Sequence, residues 1–215
     1  MDGLGLQSLV PSYVRLHRLQ RIGALCIQEN VPHAAPSIAE ALGPGFAVAT
    51  HPTAPRLAIV YDRSQLSLRG LRVLQLPRLK RVPLWQRLYT SSTPEQKHAL
   101  VASFKPHVTL VNFHLDAAGD NEFRGAQLCA LSSAIPQSQV PLVACGDTNT
   151  FTWRLQQAEP ALARLLHPLE QQHGALDVRR NAACRAGMPR RRRGWAELEL
   201  VAFLPIPPFT GVTEA

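Results

Sequence analysis

The sequence predicts an α/β domain. Strand-like and helix-like segments alternate along the chain. Three of the apolar runs end in polar, chemically capable residues, as strands of an open α/β sheet do where they deliver function. With 46% hydrophobic residues in a chain of 215, there is enough apolar material for one domain with a buried core, and global disorder is excluded. Aromatic residues make up only 6%, so the core is expected to be chiefly Leu, Val and Ala.

The elements follow in order. Residues 15–21 place Leu16 and Leu19 at helical spacing. Residues 23–29 (GALCIQE) form a short apolar run that ends in Gln28 and Glu29, a buried strand with a functional tip. Residues 37–42 read as a short helix stopped by Gly43-Pro44-Gly45. Strands are expected over 57–61 (LAIVY), before the turn Asp62-Arg63-Ser64, and over 71–76 (LRVLQL). Thr93-Pro94-Glu95-Gln96 reads as a helix start, with Thr as N-cap, Pro at the first helical position and Gln at the third. Residues 107–113 (HVTLVNF) are rich in β-branched and apolar types and predict a central strand. Residues 120–134 predict a helix with Phe123, Leu128 and Leu131 among its apolar positions. Residues 140–145 (VPLVAC) predict a strand running into Gly146-Asp147, and 198–204 (LELVAFL) the last one. No internal repeat and no linker breaks the chain, so one domain is expected over 1–215.

Charge and cysteine usage narrow the class. A net charge of +8 favours polyanionic or phosphate-bearing partners, although a genome that writes Arg codons freely gives the same balance. Between Arg56 and Arg87 there are eight Lys or Arg and one acid, Asp62, with Trp85 and Tyr89 available to stack on bases; the plain alternative is a basic surface around a strand. The four Arg at 190–193 read as an exposed basic loop. Cys26, Cys129, Cys145 and Cys184 form no CxxC pair and no zinc spacing, which suggests small buried thiols in a reduced, intracellular protein, cytoplasmic or nuclear. Cys145 in particular ends an apolar strand and is expected to be buried. No signal peptide and no membrane-spanning run is expected. Neither a P-loop nor a G-x-S-x-G elbow is present.

The three strand ends are CIQEN (26–30), VNFHLD (111–116) and ACGDTNT (144–150). Each alone has a bland alternative. Glu29 closing a turn before Pro32, His114 satisfied at the core edge, Asn112 and the Arg124/Gln127 pair bracing a loop, and Asp116 and Asp120 solvated or capping a helix are all ordinary outcomes. Together they resemble the endonuclease/exonuclease/phosphatase superfamily, the DNase I-like proteins. That resemblance rests on Gln28-Glu29, then Asn112-Phe113-His114-Leu115, then Arg124 with Gln127, then Gly146-Asp147-Thr148-Asn149, and Gly174-Ala175-Leu176-Asp177-Val178. It spans residues 15–204, with little contribution from 62–106.

The resemblance implies a four-layer α/β sandwich with two packed mixed sheets between helices. It implies hydrolysis of a phosphoester, a phosphodiester first, assisted by Mg²⁺ or Mn²⁺. Glu29 would be the metal ligand, a hard carboxylate of the kind Mg²⁺ takes. Asp147 would orient and deprotonate water, Asn149 would hold the water or a phosphate oxygen, and His114 would donate toward phosphate or leaving oxygen. Asn112 and Arg124 are the remaining substrate-side candidates. Glu199 stands where the family carries an Asp metal-site residue; the extra methylene can shift a ligand by about 1 Å. The family's opening Asn-bearing strand has no counterpart in 1–12, and its closing Ser-Asp-His is absent. The expectation is therefore an incomplete fold with impaired hydrolysis. The alternatives are an inactive remnant that binds nucleic acid or a protein, and a phosphatase for a small molecule or lipid headgroup.

Overall fold

The computed structural model describes residues 10, 11, 14, 15, 23–82, 95–118, 120–135 and 141–149, and places the strands at 177–180 and 199–203. Their elements run in the order β1 Ala24–Ile27, α1 Ala34–Leu42, β2 Phe46–Thr50, β3 Ala58–Asp62, β4 Ser67–Gln75, β5 His98–Lys105, β6 Val108–His114, α2 Asn121–Ala134, β7 Leu142–Asp147, β8 Asp177–Arg180 and β9 Glu199–Phe203. One sheet is antiparallel in the order β1-β3-β2; the other is mixed, in the order β4-β5-β6-β7-β9-β8.

The two sheets pack face to face with a helix outside each. Between them lie Ile59 and Tyr61 from β3 and Leu100, Ala102 and Phe104 from β5. The Tyr61 and Phe104 rings meet edge to face at 5.0 Å, a favoured aromatic geometry. Ala99 and Val101, the alternate residues of β5, face the opposite way and pack under α2 with Phe113, Leu128 and Leu131. α1 closes the other side, setting Ala35 and Ile38 on Ile27, Ala58 and Val60. This is the layered arrangement of two sheets between helices that the motifs imply, and the core among the described residues is mainly Ala, Leu and Val.

Local chemistry explains most boundaries. α2 starts at Asp120, whose side chain accepts from the Phe123 N–H at 2.8 Å. It spans the parallel β6–β7 crossover, which needs a connection of a dozen or more residues. α1 begins at Ala34, three residues before the expected Ser37. Pro36 falls in the first turn, where its missing N–H is harmless, and Asn30 Oδ1 accepts from the Ala35 N–H at 3.2 Å. Gly43 ends the helix at φ 116°, a backbone only glycine takes readily.

Two expectations fail here. Glu95–Gln96 start no helix: they lead straight into β5, which begins at His98. The competing force is pairing with the end of β4. The Leu76 N–H donates to Lys97 O at 2.9 Å, and Gln96 Nε2 donates to Leu76 O at 2.6 Å. β2 and β5 were not anticipated either; FAVAT and HALVASFK are strands through pairing with β3, β4 and β6, which local propensity does not report. Thr93, Pro94, Trp85, Tyr89 and residues 190–193 lie outside the described residues.

Gly146 is fixed by packing. A Cβ there would fall less than 3.0 Å from the Phe113 carbonyl oxygen and ring. Gly146→Ala is expected to destabilise the domain by about 1–3 kcal/mol through overpacking, seen as a lower urea midpoint at unchanged m. An unchanged midpoint would mean that Phe113 simply moves aside.

Candidate active site

The tips of β1, β6 and β7 gather at one end of the sandwich. β6 and β7 run parallel, and their last residues, His114 and Asp147, are direct register partners. His114 Nε2 stands 3.7 Å from Asp147 Oδ2, near enough to feel its charge but too long for a hydrogen bond. β1 belongs to the other sheet and is held by Asn112. Asn112 Nδ2 donates to Ile27 O and to Ala58 O, both at 2.9 Å, and Asn112 Oδ1 accepts from Gln28 Nε2 at 2.5 Å. Beyond the tip, the Asn30 N–H donates to Arg56 O at 2.8 Å and Asn30 Nδ2 donates to Pro55 O at 3.1 Å. Glu29 sits between these anchors, exposed, at φ 51°.

The loops after β6 and β7 are stitched together. The Leu115 N–H donates to Asp147 O at 2.9 Å, and Asn149 Nδ2 donates back to Leu115 O at 2.8 Å. The Asn149 N–H donates to Asp147 Oδ1 at 2.7 Å, which fixes the carboxylate's orientation. Asn149 has φ 47°. Left-handed backbone at a residue other than glycine is uncommon and tends to mark turns or functional sites. Here two such residues, Glu29 and Asn149, flank one site.

α2 supports this loop from beneath. Gln127 Oε1 accepts from the Asp116 N–H at 2.9 Å, and Arg124 Nη1 donates to Asp116 O at 3.3 Å. Asn112 is 0% exposed and Arg124 5%. Both side chains are buried, and the hydrogen bonds seen for them go to the backbone of neighbouring elements and to Gln28. Burial lowers the Arg124 pKa, while Asp120, Asp116 and Asp147 pull it back up; an arginine stays charged throughout, so its field reaches the Asp147 carboxylate. Asp116 is buried rather than solvated: Oδ1 accepts from the Ala118 N–H at 2.9 Å, and Oδ2 has no hydrogen-bond partner among the described residues. Asp120 caps α2 as noted above.

His114 is neutral at physiological pH. Burial is the main cause, and Lys97 and Arg56 add to it against the opposing pull of Glu95; together they take its pKa down to about 4. The contact with Asp147 is therefore dipolar rather than an ion pair. A pH consequence follows. The unfolded histidine takes up its proton near the ordinary value of about 6.5. Its contribution to stability is thus complete above about pH 6.5 and is lost as pH falls through the folded value. The loss is on the order of 3 kcal/mol, and His114→Gln is expected to flatten the stability profile across that window. A variant profile that still falls as steeply would assign the acid sensitivity elsewhere.

A cavity of about 140 Å³ opens beside His114, lined also by Arg56, Glu95, Lys97 and His98. Glu95 pairs with Arg56 Nε at 3.4 Å and with Lys97 Nζ at 3.2 Å. Arg56 belongs to the basic stretch noted in the sequence; Lys97 and His98 were missed, since only the turn of β5 toward β6 brings them to His114.

No protein-family model and no curated protein sequence matches the chain. Solved structures do match. An endonuclease/exonuclease/phosphatase from Bacteroides vulgatus superposes with a TM-score of 0.64 at 13% identity, covering 95% of this chain and 82% of that one. A mannosyl-6-phosphatase from Bacteroides thetaiotaomicron gives 0.62 at 12% identity, covering 93% and 78%. The catalytic domain of human Nocturnin gives 0.54 at 16% identity, covering 90% and 75%. The chain has the endonuclease/exonuclease/phosphatase fold.

On this fold the candidate residues occupy strand tips of both sheets. Among the described residues, no three His, Cys, Asp or Glu side chains form a ready metal cluster. The donors nevertheless fit a hard cation in kind. Mg²⁺ is commonly held by one or two carboxylates, with water and substrate phosphate completing its shell, and Glu29 offers an exposed carboxylate on a backbone anchored at both sides. β9 lies against β7 with Glu199 directly opposite Asp147 in register, so its Cα has the right neighbourhood; its side chain is outside the described residues. No helix among the described residues is long and apolar enough to cross a membrane.

Proposed function

We propose that this protein is a metal-assisted phosphoester hydrolase, with phosphodiesters as the first substrate class to test. What supports the reading is the gathering of His114, Asp147 and Asn149 with the Gln28-Glu29 tip at one end of this fold. Asp147 is the water-orienting base. Its carboxylate is fixed by the Asn149 N–H and keeps 20% of its side chain exposed, so one oxygen can meet solvent. Asn149 has one amide hydrogen committed to Leu115 O, so it acts by setting Asp147 and its loop as well as through any contact with water or phosphate. Neutral His114 donates a hydrogen bond toward the phosphoryl or leaving oxygen, where preorganised donors count most. Arg56 and Lys97 supply positive charge on the same wall. Glu29, with Glu199 as a second carboxylate, would hold a divalent cation, which polarises phosphoryl oxygen as a Lewis acid. The fold alone does not choose between nucleic acid, sugar phosphate and lipid headgroup.

The test is ligand-linked stability. Mg²⁺ or Mn²⁺ at roughly 100 times its Kd should add about 2.7 kcal/mol, a Tm rise of roughly 5–10 °C for a chain of this size. Glu29→Gln should lose most of that rise. An equal rise in both proteins would remove Glu29 from the metal site.

A further inference from the structure

Behind the site, two cysteines face each other across the sheets. Cys145 of β7 is the register partner of Asn112 on the parallel strand β6, and register partners on neighbouring strands point to the same face. Asn112 reaches from that face to Ile27 and Ala58 of the other sheet. Val143, two residues before Cys145 and on the same face, packs in the cluster between the sheets, and so does Cys26 of β1. Both residues are half-buried, Cys145 included, where the sequence led one to expect a buried residue. A bridge across facing sheets is a known solution in β-sandwiches. We propose that Cys26 and Cys145 form an oxidative modification site: hydrogen peroxide converts them to a disulfide that ties β1 to β7 directly beneath the Gln28-Glu29 and Asp147-Asn149 tips.

The roles of the two thiols differ. The closeness of the two sulfurs lowers Cys145 and, with burial, raises Cys26. Cys145 is the sulfur that reacts first, because the thiolate is the nucleophile. It attacks one peroxide oxygen, the O–O bond breaks, and the displaced oxygen leaves as water with the Cys145 proton. Cys145 is then a sulfenic acid. The Cys26 sulfur attacks the Cys145 sulfur, the S–O bond breaks, and a second water leaves with the Cys26 proton. Two thiols are oxidised by two electrons in total, and the peroxide is reduced to two waters. A small-molecule thiol reverses the bond by exchange.

The experiment uses the full chain carrying Cys129→Ser and Cys184→Ser, which leaves only this pair. After hydrogen peroxide treatment, the protein is unfolded in an alkylating agent and weighed. The expected product is a monomer lighter by two hydrogens, with neither thiol alkylated, and with Tm raised by roughly 10–20 °C as a long closed loop predicts. Dithiothreitol restores both the mass and the Tm. Adding Cys26→Ser stops the reaction at a sulfenic acid on Cys145 that dimedone traps. The proposal is overturned if both thiols remain alkylatable after peroxide treatment, or if the product is a disulfide between chains. It is also overturned if the same treatment in urea forms the bond as fast as in the native protein. None of these readouts depends on hydrolytic activity.

Discussion

Replacing Asn112 with alanine destabilises the domain by about 3–5 kcal/mol. Three hydrogen bonds are lost at about 1 kcal/mol each, and a fully buried side chain leaves a cavity that adds to the loss. The bonds cross from β6 in the mixed sheet to β1 and β3 in the antiparallel one. Their loss therefore weakens the joint between sheets rather than one strand pair. Gln28 is released at the same time, and with it the preceding anchor of Glu29. Urea denaturation measures the first effect; the Mg²⁺-dependent rise in Tm measures the second and should shrink in parallel. A loss below about 1 kcal/mol would mean that water or a shifted backbone replaces the amide, and that Asn112 does not brace the sheets.

Asn112 also shows where sequence reading stops. Its membership in an Asn-x-His-Leu segment at a strand end was legible, and a bracing role was one of the outcomes left open. That its amide crosses to another sheet was not, because the partners lie 54 and 85 residues away. The β6–α2–β7 unit was readable to within two residues at each boundary. Most boundaries there carry a local signal, such as the β-branched run of β6 and Asp120 as the cap of α2. β2, β5 and the Glu95–Lys97 approach were not readable, since pairing with β3, β4 and β6 overrides propensities that point weakly elsewhere. The site divides the same way. His114, Asp147 and Asn149 sit on strongly signalled strand ends and come together. Lys97 and His98 enter the cavity only through the β5–β6 pairing, and the depressed His114 pKa is a property of burial that no motif records.

Replacing Asp147 with alanine lowers the rate of metal-assisted diester hydrolysis by roughly 10²–10⁴-fold, the range a positioned general base contributes. The carboxylate is held by its surroundings. One oxygen accepts from the Asn149 N–H at 2.7 Å, and its own backbone carbonyl is tied to Leu115. Asp147→Asn keeps the size and the hydrogen-bond acceptor but removes the basicity, so it should lose nearly as much rate. Both variants should keep the Glu29-dependent Tm rise with Mg²⁺, which separates loss of base from loss of metal. His114→Gln should lose less, because its neutral ring contributes a hydrogen bond and no proton at pH 7. The measurement is single-turnover hydrolysis of a generic phosphodiester with protein in excess, so that slow turnover is still counted, followed by DNA and RNA. Wild-type turnover that survives Asp147→Asn within threefold would move the base elsewhere. Wild-type protein that binds Mg²⁺ through Glu29 yet hydrolyses none of these substrates would leave the strand-end cluster as a binding site on an enzyme's fold.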